Sequence, residues 1–203
     1  MTDVIGVILA GGLSSRMGGG DKGLLTLGGV SLLGRVKVRL SKQIDTVILN
    51  ANGDPARFDG LDIPVVNDTI AGYAGPLAGV LAGLDYAASQ GATHIVTVAA
   101  DTPFYPADFV DRMNASGADL AMAVTPDPER GQVRHPTFGK WPVALRDDLR
   151  RALNDGLRKV VRWSKPHGCV NVEFSATPFD PFFNVNTPED FDRADAMIAE
   201  FDL

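Results

Sequence analysis

Short apolar runs that stop abruptly at polar or glycine-rich residues constrain this chain more than any other feature. Thr2–Ala10 runs into Gly11 and Gly12, Thr46–Leu49 into Asn50, Ile63–Val66 into Asn67 and Asp68, and His94–Ala99 into Asp101, Thr102 and Pro103. Each reads as a buried strand feeding a loop. Between them, Ser31–Gln43 places Leu32, Leu33, Val36 and Leu40 at helical spacing, and Pro76–Ser89 carries the small residues Ala78, Gly79 and Ala82 on one face. Apolar strands alternating with helices imply a mainly parallel sheet covered on both faces. Ligands of such sheets bind at the carboxyl ends of the strands, where strand order reverses. The four polar exits are therefore the first places to look for function.

The alternation continues through a helix over 106–115 and a strand over 119–125. After residue 126 it loosens. Residues 126–140 read as a loop, 142–153 and 157–163 as helices, and 170–174 as a strand. Thr187-Pro188-Glu189-Asp190 opens a last helix, with threonine to cap it, proline in the first turn and acids at its positive end. No linker or repeat interrupts the chain. Its 203 residues are expected to form a single α/β domain of three layers, with a mainly parallel, twisted sheet between helices. Within it, 1–125 is the regular part and 126–203 the looser one.

Composition removes several function classes. One cysteine, Cys169, excludes an intramolecular disulfide and a multi-cysteine zinc site, and it fits a cytoplasmic setting. No apolar run reaches the roughly 18 residues of a membrane span, and no basic segment precedes a long apolar stretch at the N-terminus. A formal net charge of −6 argues against nucleic-acid binding driven by bulk charge. That total hides an asymmetry: residues 130–165 hold ten of the 19 Lys and Arg against only three acids. The stretch is either a solvated helix face or a surface for an anionic ligand or acidic partner.

Glycine is also unevenly spread, with ten of the 22 in residues 1–40. Most surround the loop Gly11-Gly12-Leu13-Ser14-Ser15-Arg16-Met17-Gly18-Gly19-Gly20-Asp21-Lys22, which follows the first strand. Glycines let backbone N–H groups approach a phosphate without a Cβ in the way, and Arg16 and Lys22 supply matching charge. The loop is not a P-loop, because Asp21 precedes the lysine and Gly23 stands where a metal-binding Ser or Thr belongs. Nor does Gly11-Gly12-Leu13 provide G-x-G-x-x-G.

The remaining candidates each admit two readings. Asp101 is either a helix-capping carboxylate or a ligand for Mg²⁺, a hard cation that bridges phosphate oxygens. Asn50 and Asp68 are turn residues or readers of a nucleoside. Gly75 and Pro76 open a helix and could bring backbone close to a base. Asn184 and Asn186, two apart, share a side if extended. His135 is a candidate for an acceptor site, whereas His94 reads as structural and His167 and Cys169 carry no functional signal.

The run LAGGLSSRMGGGDKGLL (residues 9–25) resembles the signature loop of nucleotidyltransferases that activate a phosphorylated acceptor with a nucleoside triphosphate. Its LAGG…RMGG…DKGL version resembles the molybdenum cofactor guanylyltransferases in particular. Further blocks resemble the same family in order along the chain: Asn50-Ala51-Asn52, Gly75-Pro76-Leu77-Ala78-Gly79, Asp101-Thr102-Pro103, His135-Pro136-Thr137 and Asn184-Val185-Asn186-Thr187-Pro188.

The resemblance implies a Rossmann-like nucleotidyltransferase fold, with a nucleotide-binding part over 1–125 and an acceptor-binding part over 126–203. It implies GMP transfer from GTP to a molybdopterin-type cofactor, with Mg²⁺ on Asp101. Arg16, Lys22 and Asp101 would be catalytic, and GTP would contact Leu9, Ala10, Gly11, Gly12, Lys22, Asn50, Asp68, Gly75, Pro76 and Asp101. His135, Asn184 and Asn186 would lie near the phosphate or acceptor. Acceptor molybdoenzymes or their chaperones are the expected partners; nucleic acid and membranes are not. A cytidylyltransferase for the same acceptor, a sugar-phosphate nucleotidyltransferase and a non-catalytic nucleotide-binding carrier are the alternatives.

Overall fold

The computed structural model describes residues 3–11, 22–70 and 75–201. In chain order, the first half comprises β1 (Val4–Leu9), a hairpin of β2 (Thr26–Leu27) and β3 (Val30–Ser31), α1 (Leu32–Ser41), β4 (Val47–Asn50), β5 (Val65–Val66), α2 (Pro76–Ser89) and β6 (His94–Ala99). The second comprises α3 (Phe109–Ala115), β7 (Ala121–Asp127), β8 (Gly131–Pro142), α4 (Arg146–Asn154), α5 (Val160–Ser164), β9 (Val170–Glu173) and α6 (Pro188–Phe201). The main sheet has seven strands in the order β5-β4-β1-β6-β8-β7-β9. Only β8 runs against its neighbours. The mainly parallel sheet read from the sequence is therefore observed, with helices on both faces.

Each face buries its own core. Ile8, Leu49, Val96 and Val98 meet Leu33, Val36 and Leu40 of α1 and Phe109 of α3 on one side. Ile5, Val7, Ile48 and Ile95 meet Leu77, Leu81 and Leu84 of α2 and Leu149 of α4 on the other. Helix α1 starts where Ser31 accepts a hydrogen bond from Gly34 N, satisfying one of the free amides of its first turn. Helix α2 is apolar nearly all round, as a helix trapped between a sheet and another helix must be. Helix α6 closes a third cluster with Leu27, Leu32, Phe104 and Val185, tying the β2–β3 hairpin to the C-terminal part. Its start is capped as the sequence predicts, with Thr187 Oγ1 accepting from Asp190 N at 3.2 Å and Asp190 Oδ2 accepting from Thr187 N at 2.9 Å.

The clearest departure from the sequence reading is β8. The segment 126–140, expected as a loop, contains most of a 12-residue strand. Its pairing with β7 shifts between Ala123, opposite His135, and Met122, opposite Gly139, so Pro136, Thr137 and Phe138 bulge out of the ladder. Thr97 pins this bulge from the neighbouring strand: its hydroxyl donates to Thr137 O at 2.8 Å and accepts from Trp141 Nε1 at 2.9 Å. No described helix is long and apolar enough to cross a membrane.

Candidate active site

Register aligns the strand exits at one edge of the sheet. Leu9 stands opposite Asn50 on one side and Ala99 on the other, and Asn50 stands opposite Val66. Beyond the ladder, Ala10 N donates to Asn50 O, Ala100 N to Leu9 O and Ala51 N to Val66 O, at 2.9–3.0 Å. Leu9, Ala10, Gly11, Asn50, Asp68 and Asp101 thus arrive at one edge because the last residues of the neighbouring parallel strands are in register.

Asn50 is the hub of the first half of this edge. It is buried, and its Nδ2 donates to Val66 O at 3.3 Å and to Asp68 Oδ1 at 3.0 Å. Its Oδ1 lies between Gly11 and the first turn of α2, where a Cβ on Gly79 would overlap both this oxygen and Leu9 Cδ2. Gly79 therefore lets the start of α2 close onto Asn50, bringing the positive end of the helix dipole to the strand exits. Gly75, just before α2, has φ +71°, a left-handed value that favours glycine. The backbone oxygen of Arg158 lies 3.9 Å from where its Cβ would be.

Sequence reasoning missed Asn52 as a site residue. Its Nδ2 donates to Asp68 Oδ2 at 2.8 Å, and its Oδ1 accepts from Asp68 N at 2.9 Å. Asn50 and Asn52 together hold both carboxylate oxygens of Asp68. The signal was present, because residues two apart on an extended chain project to the same side.

The second half of the edge is built around Thr102. Its hydroxyl is buried, donates to Asn184 Oδ1 at 2.6 Å and stands 3.2 Å from Asp101 Oδ1. Val185 N donates to Asp101 O at 2.8 Å, seating the 184–186 segment on the turn after β6. Asp101 and Asn184, far apart in sequence, are thereby joined. Asn186 N is held by Asp190 Oδ2 at 2.8 Å.

His135 lies apart from these hydrogen bonds. It stacks on Phe182 with ring centroids 4.1 Å apart, and its Nε2 is 2.9 Å from Thr125 Oγ1. Burial pushes its pKa below the ordinary histidine value, only partly opposed by the Asp180 carboxylate.

Gly12 and Arg16 lie outside the described residues. Of Lys22 only the backbone is described, at the start of the short turn Lys22–Leu24.

The basic stretch 130–165 divides in two. Arg146 and Arg150 of α4 face Asp85 of α2, whose other oxygen accepts from Thr69 Oγ1 at 3.1 Å. Arg158 donates to the carbonyls of Leu153 and Leu157. Lys159, Arg162 and Lys165 are exposed at three-residue spacing, just before, within and just after α5.

Among the described residues, no group of three or more His, Cys, Asp or Glu could enclose a metal ion. A nucleotide-borne Mg²⁺ does not need one. It is held by one or two carboxylates plus substrate phosphates and water, and Asp101 at the end of β6 fits that requirement.

A parallel sheet with polar strand exits and a glycine-rich loop after β1 defines a nucleotide-binding α/β protein. In agreement, residues 6–169 match the family model of the MobA-like NTP transferase domain. The chain is 47% identical over 205 residues to the molybdenum cofactor guanylyltransferase of Bradyrhizobium sp. strain ORS 278, covering 98% of this chain and 94% of that one. It is 49% identical over 194 residues to the enzyme of the same description from Rhodopseudomonas palustris strain BisB5, covering 94% and 92%. The chain belongs to the molybdenum cofactor guanylyltransferase family. Its fold is similar to that of molybdopterin-guanine dinucleotide biosynthesis protein A from Archaeoglobus fulgidus, with a TM-score of 0.70 at 21% identity over 98% of this chain and all of that one.

Proposed function

We propose that this chain transfers GMP from GTP to the terminal phosphate of a molybdenum-molybdopterin cofactor, forming the guanine dinucleotide cofactor and releasing pyrophosphate. The observation that carries the reading is the joining of Asp101 to Asn184 through Thr102, beside the Asn50–Asp68–Asn52 cluster, at one edge of the sheet. An acceptor oxygen bonds to the α-phosphorus while the bond from that phosphorus to the pyrophosphate oxygen breaks. The acceptor phosphate is already anionic, so no strong base is needed; alignment and charge neutralisation suffice.

In this reading Leu9, Ala10, Gly11, Asn50, Asp68, Gly75 and Pro76 hold the nucleoside. Gly12, Arg16 and Lys22 neutralise the triphosphate and the departing pyrophosphate. Asp101 holds Mg²⁺, which when bound polarises the α-phosphate. His135, Asn184 and Asn186 flank the acceptor, so that 1–125 serves the nucleotide and 126–203 the acceptor. The exposed cations of α5 suit an anionic acceptor or the acidic surface of a molybdoenzyme or its chaperone. The reaction belongs in the cytosol.

The test is pyrophosphate release by the purified protein with Mg²⁺, a phosphorylated pterin acceptor and GTP, CTP or UTP in turn. GTP is expected to be the preferred donor. Preference for CTP would replace the reading with a cytidylyltransferase, and GTP binding without pyrophosphate release would replace it with a carrier.

A further inference from the structure

Thr97 is a buried polar residue in the middle of the sheet, with the apolar Val96 and Val98 on either side of it in β6. Its two hydroxyl partners leave no choice of roles. An indole N–H can only donate and a peptide carbonyl can only accept, so the hydroxyl accepts from Trp141 Nε1 and donates to Thr137 O. Gly139, opposite Thr97 in the ladder, makes room for the indole: a Cβ there would come within 2.6 Å of the Trp141 ring and 2.9 Å of Ala121 O.

These bonds sit where the ladder stops. Strand β8 pairs with β6 no further than Thr97–Gly139, and Pro136, Thr137 and Phe138 leave the ladder with β7. Carbonyls in such a bulge lose their ladder donors, and the Thr97 hydroxyl supplies one to Thr137 O. Trp141 belongs to the core on the α2 side of the sheet, whereas Phe138 and Phe182 belong to the core on the α1 side. The Thr137 carbonyl and the Phe138 nitrogen share one planar peptide, so holding that carbonyl sets the turn that sends Phe138 to the other face. There Phe138 and His135 both pack on Phe182, with ring centroids 4.8 and 4.1 Å apart. Phe182 lies two residues before Asn184, which bonds Thr102 at the exit of β6.

We propose that Thr97 is a positioning residue for the acceptor half of the site, fixing through Thr137 O the bulge on which His135, Phe182 and the segment carrying Asn184 rest. The inference rests on the proposed function for the chemistry of the acceptor; the path from Thr97 to Phe182 stands on the hydrogen bonds and ring contacts. Valine would fill the same space among the strand's apolar neighbours, so the hydroxyl is explained by what it holds. It acts from the interior of the sheet and touches no substrate.

The experiment compares Thr97→Val, which keeps the shape and removes the hydroxyl, with Thr97→Ser, which keeps the hydroxyl. Thr97→Val is expected to lower kcat/KM for the acceptor about tenfold, the size of one lost positioning hydrogen bond. Its KM for GTP should stay within about twofold and Thr97→Ser should restore acceptor turnover to within about threefold, as expected when only the acceptor side is disturbed. Should the unpaired indole unfold Thr97→Val, the double variant with Trp141→Phe removes that donor as well, and the same acceptor loss is expected from it.

Backbone amide NMR supplies a readout independent of turnover. In Thr97→Val the signals of 135–138 and of 182–184 should shift together and return in Thr97→Ser, while those of Asn50 and Asp68 stay in place. A wild type that releases no pyrophosphate from GTP and acceptor would overturn the proposed function and leave the amide readout intact. Unchanged acceptor kcat/KM in Thr97→Val, an equal rise in its KM for GTP, failure of serine to rescue, or unmoved signals at 182–184 would each overturn the role of Thr97.

Discussion

The two ends of the sheet reach the same edge by different routes. In β5, β4, β1 and β6 every strand ends there, so Gly11, Asn50, Asp68 and Asp101 follow one or two residues after each apolar run. In the β8–β7–β9 part the antiparallel strand β8 begins at that edge, with Thr97 of β6 opposite Gly139 and the residues before Gly139 reaching beyond it. Its candidate residue, His135, therefore comes early in the strand, ahead of the bulge, and Asn184 is delivered by a segment outside any strand. The rule that ligands gather at carboxyl strand ends is a rule about parallel strands. Where one strand reverses, the same edge must be read from strand beginnings and from distant segments that dock on a strand exit.

This contrast can be tested from the nucleotide side first. Asp101→Asn is expected to have the largest effect, lowering kcat/KM by about 10³-fold if the carboxylate holds the cation at the reacting phosphate. Retention of wild-type pyrophosphate release would remove Asp101 from the chemistry. Gly79→Ala comes next, because its new methyl would overlap Asn50 Oδ1 and Leu9 Cδ2. Overpacking of this kind costs about 1–3 kcal/mol, measurable by urea unfolding, and GTP affinity should fall with it. Asn52→Ala should be milder, raising the KM for GTP by about three- to tenfold through loss of the hydrogen bonds that orient Asp68. An unchanged KM would mean that Asn50 alone positions that carboxylate.

The other side predicts a smaller response. Arg150 is engaged with Asp85, so Arg150→Ala should lower stability by about 1 kcal/mol or less, as for a partly exposed ion pair. The acceptor KM should change little. A large rise in that KM would show that Arg150 leaves Asp85 to meet the acceptor, giving α4 the substrate role here assigned to the cations of α5.

What was legible in the sequence follows the same division. Asp101 and Asn50 could be found because an apolar run announces where its strand stops. Strand β8 could not, because Gly131, Pro136, Gly139 and Pro142 punctuate it like a loop. The bulge accommodates one of them: it takes Pro136 out of the ladder, where a missing N–H costs nothing. Asn52 was hidden by being polar among polar neighbours, although its spacing from Asn50 held the clue. Thr102 was invisible in a deeper sense. Its importance lies in a partner 82 residues away, and no local pattern encodes a hydrogen bond between two loops.

The smallest expected effect concerns His135, whose burial against Phe182 keeps its pKa below the ordinary histidine value. In the unfolded chain the imidazole titrates near ~6.5. Above that pH both states are neutral, and the group contributes no pH dependence. As pH falls below it, the unfolded chain takes up a proton that the folded chain still refuses, so stability declines until the folded pKa is passed. His94 has a pKa shifted the same way by burial, so the acid-side slope of the wild type reports both rings. His135→Gln should remove one contribution and flatten the slope of the urea midpoint below about pH 6.5. His94→Gln should flatten it separately, and the double variant should be flatter than either. The two rings lie toward opposite ends of the sheet, His94 opening β6 and His135 at the end where β6 exits. Their contributions should therefore add, as they do for sites without shared partners. If His135→Gln leaves the slope unchanged, the ring is already as hydrated as in the unfolded chain, and its stack on Phe182 is an open platform rather than a closed one.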